Sequence, residues 1–200
     1  MSDHVTLREI VTNLLYPPRC LLCGTLCGWE ELLCESCQKQ QPQAGEFFWE
    51  PEVFGCRGIL WCARYEGAFR AGMEQLKFEG VRESLPLFGG MLTEAVRQSG
   101  LLPQLTAVTY VPMPPERERH RGYNQSKLLA QYLAKESYRA GERKLPPGEH
   151  ILLIDDIITT GATLENCAAL LLAQGAESVT AAAVLRTPRP EGKKLEGNKG

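Results

Sequence analysis

The sequence predicts an α/β protein in which a parallel sheet is flanked by helices, with a small zinc knuckle on its N-terminal side. Three observations support this class. From about Ala107 onward, apolar strand-like segments alternate with helical segments, which is the pattern of a parallel sheet with crossover helices. Ile151 to Ile154 is a continuous apolar run, as in a strand buried on both faces. Two C-x-x-C pairs near the N-terminus supply the donors of a metal site.

Three regions are expected along the chain. Residues 1–45 are assigned to an amphipathic helix, with apolar residues at helical spacing over Leu7 to Leu15, followed by the zinc knuckle. A Gln/Pro-rich stretch at 38–43 is typical of a linker and leads into an α/β domain at 46–187. The tail, 188–200, is expected to be disordered, because it holds two prolines, three glycines and almost no large apolar residue.

Within the larger domain the hydrophobic pattern predicts strands and helices in alternation. Short runs of β-branched and aromatic residues closed by glycine or proline indicate strands, and longer runs with a three- to four-residue apolar spacing indicate helices. Ser84 is expected to cap the helix that contains Pro86 in its first turn and ends before Gly100. In chain order the predicted elements are a strand at 58–65, helices at 68–78 and 85–98, a strand at 107–111, a helix at 123–135, a strand at 151–154, a helix at 164–172 and a strand at 178–185.

The overall composition restricts the class of partner. Of the 200 residues, 44% are hydrophobic and 23% are charged, and the formal net charge is −2. This balance argues against a broad basic face for duplex DNA but leaves room for a local basic patch. We expect no membrane span, because no run of about 18 apolar residues exists. The first residues also lack the basic segment of a signal peptide, so we expect a cytoplasmic protein.

Five of the eight cysteines lie between residues 20 and 37. Cys20 with Cys23 and Cys34 with Cys37 form two tight C-x-x-C turns, which together offer four thiolates to one tetrahedral zinc ion. Disulfides are the alternative, and the expected reducing compartment favours zinc. Such a zinc has no open coordination position, so its role would be structural. Cys27 is a spare thiol. The remaining cysteines are expected in or near the core, namely Cys56, Cys62 and Cys167.

The segment ILLIDDIITTGAT at 151–163 carries the most chemical information. The buried strand delivers Asp155 and Asp156 to the carboxyl edge of the sheet, where ligands of open α/β sheets bind. A turn of small residues then opens a helix, and its free N–H groups and helix dipole suit a phosphate. A capping role would explain one of the aspartates, but two of them suit sugar hydroxyls or a magnesium ion better. The turn comprises Thr159, Thr160, Gly161, Ala162 and Thr163.

This segment resembles the phosphoribosyl pyrophosphate (PRPP) signature of type I phosphoribosyltransferases. Further runs make the chain similar to the ComF (ComFC/GntX) family of competence-associated, phosphoribosyltransferase-like proteins. These are the four-cysteine knuckle, QLKFEG at 75–80, VPMP at 111–114 and RGYNQ at 121–125. The resemblance implies a type I phosphoribosyltransferase-like sheet.

The resemblance also implies roles for residues at the predicted site. Asp155 and Asp156 would contact the ribose hydroxyls directly or through Mg²⁺, as the catalytic pair. Residues 159–163 would hold the 5′-phosphate. Val111 to Pro115 would be the pyrophosphate loop, a place where such proteins often hold a strained or cis peptide. The expected pyrophosphate-binding residues are Lys77, Pro112, Met113, Arg117 and Arg121.

Other residues around this loop have two interpretations each. The basic run 117–121 is either a solvated face or an anion site, and its place beside the loop favours the anion site. Lys77 either reaches a phosphate or is an exposed helix residue. His120 is expected to be solvated or packed rather than catalytic. Tyr123 and Asn124 offer stacking and hydrogen bonding of the kind found in single-stranded nucleic-acid sites.

Two functional hypotheses follow from these residues. The first is a Mg²⁺-dependent phosphoribosyltransferase, an enzyme with an unknown acceptor. The second is a catalytically inactive module that binds PRPP, a nucleotide or single-stranded DNA and works with the competence machinery. Only 137–150 separates the helix after RGYNQ from the PRPP strand, so the long basic loop that closes over PRPP in such enzymes is missing. A purely structural role for the knuckle is a third alternative, and the oligomeric state, with a homodimer among the alternatives, stays open.

Overall fold

The computed structural model describes residues 17–28, 31–40, 42, 45–79, 82–137 and 148–188. The predicted helix at 7–15 lies outside these ranges, and so does the predicted disordered tail apart from Pro188. Residues 138–147, most of the connection in place of the missing basic loop, also lie outside them.

The described elements alternate between strands and helices once the knuckle is passed. A short helix, α1 (Glu35–Gln38), belongs to the knuckle itself. The larger domain then contains β1 (Phe48–Val53), β2 (Cys56–Arg64), α2 (Gly67–Glu74) continued by a π-helical turn (Gln75–Glu79), α3 (Leu85–Gln98), β3 (Ala107–Tyr110), α4 (Pro115–Arg121), α5 (Gln125–Ser137), β4 (Glu149–Ile158), α6 (Ala162–Ala173) and β5 (Ala176–Arg186). None of these described helices is both long and apolar enough to traverse a lipid bilayer.

In the part of the chain that the structure describes, five strands form one sheet in the order β1-β2-β5-β4-β3. The four strands β2, β5, β4 and β3 are parallel, and β1 pairs with β2 as an antiparallel edge. Ile154 is a reference point in the register, since it pairs with Ala182 on one side and with Tyr110 on the other. The predicted parallel α/β sheet with flanking helices is confirmed.

Each face of the sheet is covered by a different hydrophobic cluster. One face packs against α2, α3 and α5 and also against the knuckle, whose Leu22 is fully buried there. The other face packs against α6 and against Phe54 from the β1–β2 turn. Because both faces are covered, the central runs Ile151–Ile154 of β4 and Ala181–Leu185 of β5 are apolar and buried at every position, which explains why Ile151 to Ile154 does not alternate with polar residues.

Several element boundaries differ from the predictions. The helix at 85–98 has the predicted bounds, but Ser84 has right-handed helical angles (φ −79°, ψ −8°) and makes no capping hydrogen bond, because a 3-10 turn already leads into the helix. β4 continues to Ile158 instead of ending at Ile154, since β5 provides pairing partners that far. β1 and α4 were not predicted, because Pro51 interrupts the first and the second is highly charged.

Candidate functional site

The paired aspartates lie in the part of β4 that extends beyond the end of β3. β3 makes its last pairing between Tyr110 and Ile154, so Asp155 and Asp156 lie beyond the end of β3 while β5 still pairs with β4. The carboxyl groups therefore stand at the carboxyl edge on the β3 side, although they belong to a longer strand than predicted. This is the edge at which parallel α/β sheets bind their ligands.

Each aspartate has a different partner. Asp156 Oδ2 lies 2.8 Å from Nζ of Lys77, and both side chains are mostly buried. Asp155 Oδ1 accepts hydrogen bonds from the Ser126 hydroxyl, at 3.0 Å, and from the backbone N–H of Asp156, at 2.9 Å. Asp156 Oδ1 in turn accepts the N–H of Ile157 at 2.7 Å. The two carboxylates are thus held in distinct orientations by groups of the chain itself.

The electrostatics of the pair are unequal. Burial, and then the neighbouring negative charge of Asp156, raise the pKa of Asp155 from 3.8 to about 7. The hydrogen bonds from Asp156 N–H and Ser126, and the charge of Lys77, lower this pKa but do not offset the burial. Asp155 therefore changes charge near neutral pH, and its ionised form is unfavourable in this buried position.

The raised pKa of Asp155 predicts how the free energy of unfolding depends on pH. Because the folded-state pKa of Asp155 is raised, the ionised carboxylate destabilises the fold increasingly between about pH 4 and pH 7, and fully above pH 7. We expect Asp155→Asn, whose amide oxygen still accepts the Ser126 bond, to raise the free energy of unfolding at pH 8 by about 1–3 kcal/mol and to change it little at pH 4.5. Urea unfolding at the two pH values measures this, and an equal effect at both would contradict the assignment.

The predicted phosphate turn has the geometry of a helix start. Gly161 is the residue before α6 and has φ +84°, a left-handed angle that glycine adopts without strain. Thr159 and Thr160 are exposed, as are Ala162 and Thr163 at the beginning of the helix. The Thr160 hydroxyl accepts the N–H of Ala162 at 3.5 Å. The turn therefore presents hydroxyl and N–H groups to solvent beside the aspartates.

Phe54 packs against this turn, a role that the sequence did not predict. A Cβ added at Gly161 would lie 2.1 Å from the Phe54 ring, so the ring packs directly against the glycine. Phe54 and Gly55 both have positive φ, +55° and +68°, as in a two-residue hairpin turn. The available sequence signal was an aromatic residue followed by glycine. Its role at the site depends on the contact with Gly161, more than a hundred positions along the chain.

The predicted pyrophosphate loop, 111–115, follows β3, and its last residue is the first of α4. Pro112 is exposed and Met113 is half-buried. Among the described residues there is no cis peptide bond, so the expected cis geometry is absent from this loop. The loop instead leads into α4, which carries Arg117 on an exposed position. Asn124 holds the loop in place, because its side-chain amide donates to the Val111 carbonyl at 3.1 Å.

Structure decides between the alternatives for several residues. Lys77 is not an exposed helix residue: it lies on the π-helical turn and pairs with Asp156. Tyr123 is buried and its hydroxyl donates to the Leu76 carbonyl, so it is not available for stacking, and neither is the buried Asn124. Arg121 donates to Gln125 Oε1 at 2.9 Å and lies over the Phe78 ring.

The four predicted zinc ligands converge on one point. The sulfurs of Cys20, Cys23, Cys34 and Cys37 all lie within 4.8 Å of one another, and Cys23 and Cys34 Sγ are 3.6 Å apart. Cys27 lies outside this group and donates to the Glu31 carbonyl at 3.2 Å. Four converging thiols are the donor set of a closed structural zinc site, so the residues fit the ion.

The sulfurs differ in environment. A hydrogen bond with the Thr25 hydroxyl lowers the pKa of Cys23 to about 6, whereas burial raises the pKa of Cys37 well above its usual range.

The knuckle packs tightly on the larger domain: a Cβ added at Gly72 of α2 would meet the Leu21 carbonyl and Leu22 Cα, each at 3.0 Å. The knuckle is therefore joined to the helix that continues into the Lys77 turn.

Comparison with known proteins gives two family matches and several relatives. Residues 82–199 match the phosphoribosyl transferase domain family, and residues 11–47 match the double zinc ribbon domain. The chain is 27% identical over 202 residues to the DNA utilization protein YhgH of Salmonella typhi, with 84% of each chain covered. It is 30% identical over 150 residues to the competence protein ComFC of Bacillus subtilis, with 62% of each covered. It is 28% identical over 130 residues to the adenine phosphoribosyltransferase of Brucella anthropi, with 64% of this chain and 71% of the relative covered.

Proposed function

Because the chain belongs to the phosphoribosyl transferase domain family and carries the knuckle typical of its ComF members, we propose that it binds PRPP together with Mg²⁺. One observation carries the proposal: two adjacent carboxylates at the sheet edge are followed directly by a glycine-led helix start. The 5′-phosphate would lie on residues 159–163, and the ribose hydroxyls would face Asp155 and Asp156.

Residues of the chain have defined tasks in this proposal. The turn at 159–163 binds phosphate through backbone N–H and threonine hydroxyl groups. Asp155 and Asp156 orient the ribose and can hold Mg²⁺, which would neutralise pyrophosphate oxygens. Lys77, whose Nζ lies 2.8 Å from Asp156 Oδ2, would offer its ammonium group to a pyrophosphate oxygen. Pro112, Met113, Arg117 and Arg121 complete the proposed pyrophosphate region.

The carboxylates provide the decisive test. We expect the Asp155→Asn, Asp156→Asn double variant to lose about tenfold or more of its PRPP affinity in the presence of Mg²⁺, because two charge-assisted contacts are removed. Titration calorimetry with PRPP and Mg²⁺ measures the loss. Glu136→Gln, an exposed carboxylate change on α5, is the matched control and should bind normally. Equal PRPP binding by the double variant and the wild type would refute the site.

Activity is a separate question from binding. As an enzyme, the chain would transfer the phosphoribosyl group to an acceptor base and release pyrophosphate, and the aspartates would stabilise the positive charge that develops on the ribose. Pyrophosphate release with PRPP and a panel of nucleobases distinguishes this from binding alone. Binding without release would assign the chain as a PRPP-binding module.

The names of the relatives favour a role in DNA uptake and natural competence, and the second candidate is therefore binding of single-stranded DNA. The exposed Arg117 and Arg119 of α4 lie beside the proposed pyrophosphate loop. We also propose a cytoplasmic location, because a reducing compartment keeps four zinc-binding thiols from forming disulfides.

A homodimer is a further proposal, which light scattering tests.

Salt titration tests the DNA candidate. We expect affinity for a labelled oligothymidine to fall as salt rises, and the Arg117→Ala, Arg119→Ala, Arg121→Ala triple variant to reduce the log–log slope by about 2, because each phosphate contact contributes roughly 0.7. Fluorescence anisotropy measures both quantities. Arg57→Ala, an exposed arginine at the start of β2, should leave the slope unchanged. A wild-type affinity that does not vary with salt would remove this candidate.

A further inference from the structure

The zinc knuckle contacts the larger domain through residues that lie between its own metal ligands. Leu21 and Leu22 are the two residues between Cys20 and Cys23, so a bound zinc ion fixes their backbone. Leu22 is fully buried in the cluster that covers one face of the sheet. The backbone N–H of Leu21 donates to the Leu32 carbonyl at 2.9 Å, which joins this turn to the segment before the second cysteine pair. Loss of zinc would therefore release the backbone of the contact surface.

This surface packs on one side of α2. A Cβ added at Gly72 would lie 3.0 Å from both the Leu21 carbonyl oxygen and Leu22 Cα, so a larger side chain has no room between the knuckle and the helix. A Cβ added at Gly24 of the knuckle would lie 3.4 Å from Nε2 of Gln75, the first residue of the π-helical turn. The knuckle thus contacts both α2 and the turn that continues it.

The same turn carries the lysine of the proposed site. Lys77 follows Gln75 by two positions, and its Nζ lies 2.8 Å from Asp156 Oδ2. Leu76, between them in the chain, is fully buried in the cluster that contains the knuckle residues, and its carbonyl accepts the Tyr123 hydroxyl. Packing around the turn therefore sets the place of the ammonium group, because the flexible four-carbon stem of a lysine does not define it alone.

We propose that the zinc knuckle positions Lys77, so that loss of zinc withdraws its ammonium group from Asp156. This inference rests on the proposed function, because the site that Lys77 serves is the one to which PRPP is assigned. The metal-binding turn, α2 and the π-helical turn are in direct contact, and Gly72 and Lys77 are separated by roughly 7 Å of helix rise. A phosphate oxygen pairs well with a cation only at a defined place, which the knuckle provides.

Chemical labelling of lysines measures this coupling without any ligand. Acetylation by an amine-reactive ester, followed at each lysine by mass spectrometry, compares the zinc-loaded chain with the chain after chelation. We expect the labelling rate of Lys77 to rise roughly fivefold on zinc removal, because its side chain is only 18% exposed when paired with Asp156. Lys135, an exposed lysine on α5, is the internal control and should be labelled equally in both states.

Two variants separate the knuckle contact from the metal itself. Gly72→Leu drives the knuckle away from α2 but keeps the four cysteines, so it should retain zinc and still expose Lys77 to labelling. Leu22→Ala removes the buried side chain without a clash and should act in the same direction. Gly90→Leu on α3 is the matched control, because a Cβ there meets nothing within 4 Å. A cooperative urea transition shows that the zinc-free chain and each variant are folded.

PRPP binding with Mg²⁺ relates the knuckle to the proposed function. We expect Gly72→Leu to lower PRPP affinity by about tenfold, because one charge-assisted contact is lost, and to add little in the Lys77→Ala background. Unchanged labelling of Lys77 on zinc removal, or fully additive losses of PRPP affinity, overturns the proposal. Zinc-dependent labelling of Lys77 in a chain that does not bind PRPP supports the positioning role and refutes the proposed function instead.

Discussion

Replacing Glu50 with alanine is expected to lower the free energy of unfolding by about 3–5 kcal/mol, because the change removes the carboxylate that pairs with a buried guanidinium. Glu50 and Arg186 are 6% and 3% exposed, and Arg186 Nε lies 2.6 Å from Glu50 Oε1. Trp61 donates its indole N–H to the same oxygen at 3.1 Å. The carboxylate thus connects β1 to the end of β5, 136 positions away.

Urea unfolding measures the loss, and two variants calibrate it. Glu94→Ala breaks an exposed pair with Arg97 and should cost no more than about 1 kcal/mol. Glu50→Gln keeps an acceptor for Trp61 but removes the charge, so its cost should fall between the two. A loss in Glu50→Ala as small as that in Glu94→Ala would show that the buried network contributes little.

The Cys20→Ser, Cys37→Ser double variant is expected to lose its bound zinc and to lower Tm by roughly 6–12 °C, corresponding to about 3 kcal/mol. Without the ion the knuckle cannot keep Leu22 and Leu33 buried, and each of these side chains contributes about 1.5–3 kcal/mol. Metal analysis of the purified chain should give one zinc in the wild type and almost none in the variant. Scanning calorimetry measures the change in Tm.

Cys27→Ser is the matched control for this prediction. Cys27 lies in the same knuckle, but its sulfur is outside the four-sulfur cluster and bonds to a backbone carbonyl. The variant should therefore retain one zinc and a nearly unchanged Tm. If Cys27→Ser lost the zinc while Cys20→Ser, Cys37→Ser retained it, the ligand assignment would be wrong.

Sequence patterns predicted those features that depend on neighbours along the chain. The C-x-x-C spacing identified the four sulfurs that converge, because each pair is brought together by its own turn. The Pro86 start and Gly100 end predicted the helix at 85–98 because both act on the local backbone. Alternation of apolar strands and helices likewise predicted the parallel sheet.

Contacts between distant segments could not be predicted in this way. Nothing near Lys77 in the sequence indicates that its ammonium group meets Asp156, and nothing near Phe54 indicates that its ring supports Gly161. Tyr123 and Asn124 offer stacking and hydrogen bonding of the kind found in single-stranded nucleic-acid sites, yet both are buried. Phe78, on a different segment and next to Lys77, is instead exposed.

The amino-acid order alone determined the α/β class, the four zinc-type ligands and the position of the acidic pair before a small-residue turn. Tertiary structure decided which partner each charged group meets: Lys77 meets Asp156, Arg186 meets Glu50, and Arg121 lies over the neutral ring of Phe78. The physical reason is that periodicity, capping and turn preferences act within a few residues of the backbone. Ion pairs, stacking and burial instead depend on how β-strands and helices far apart in the chain pack across the sheet.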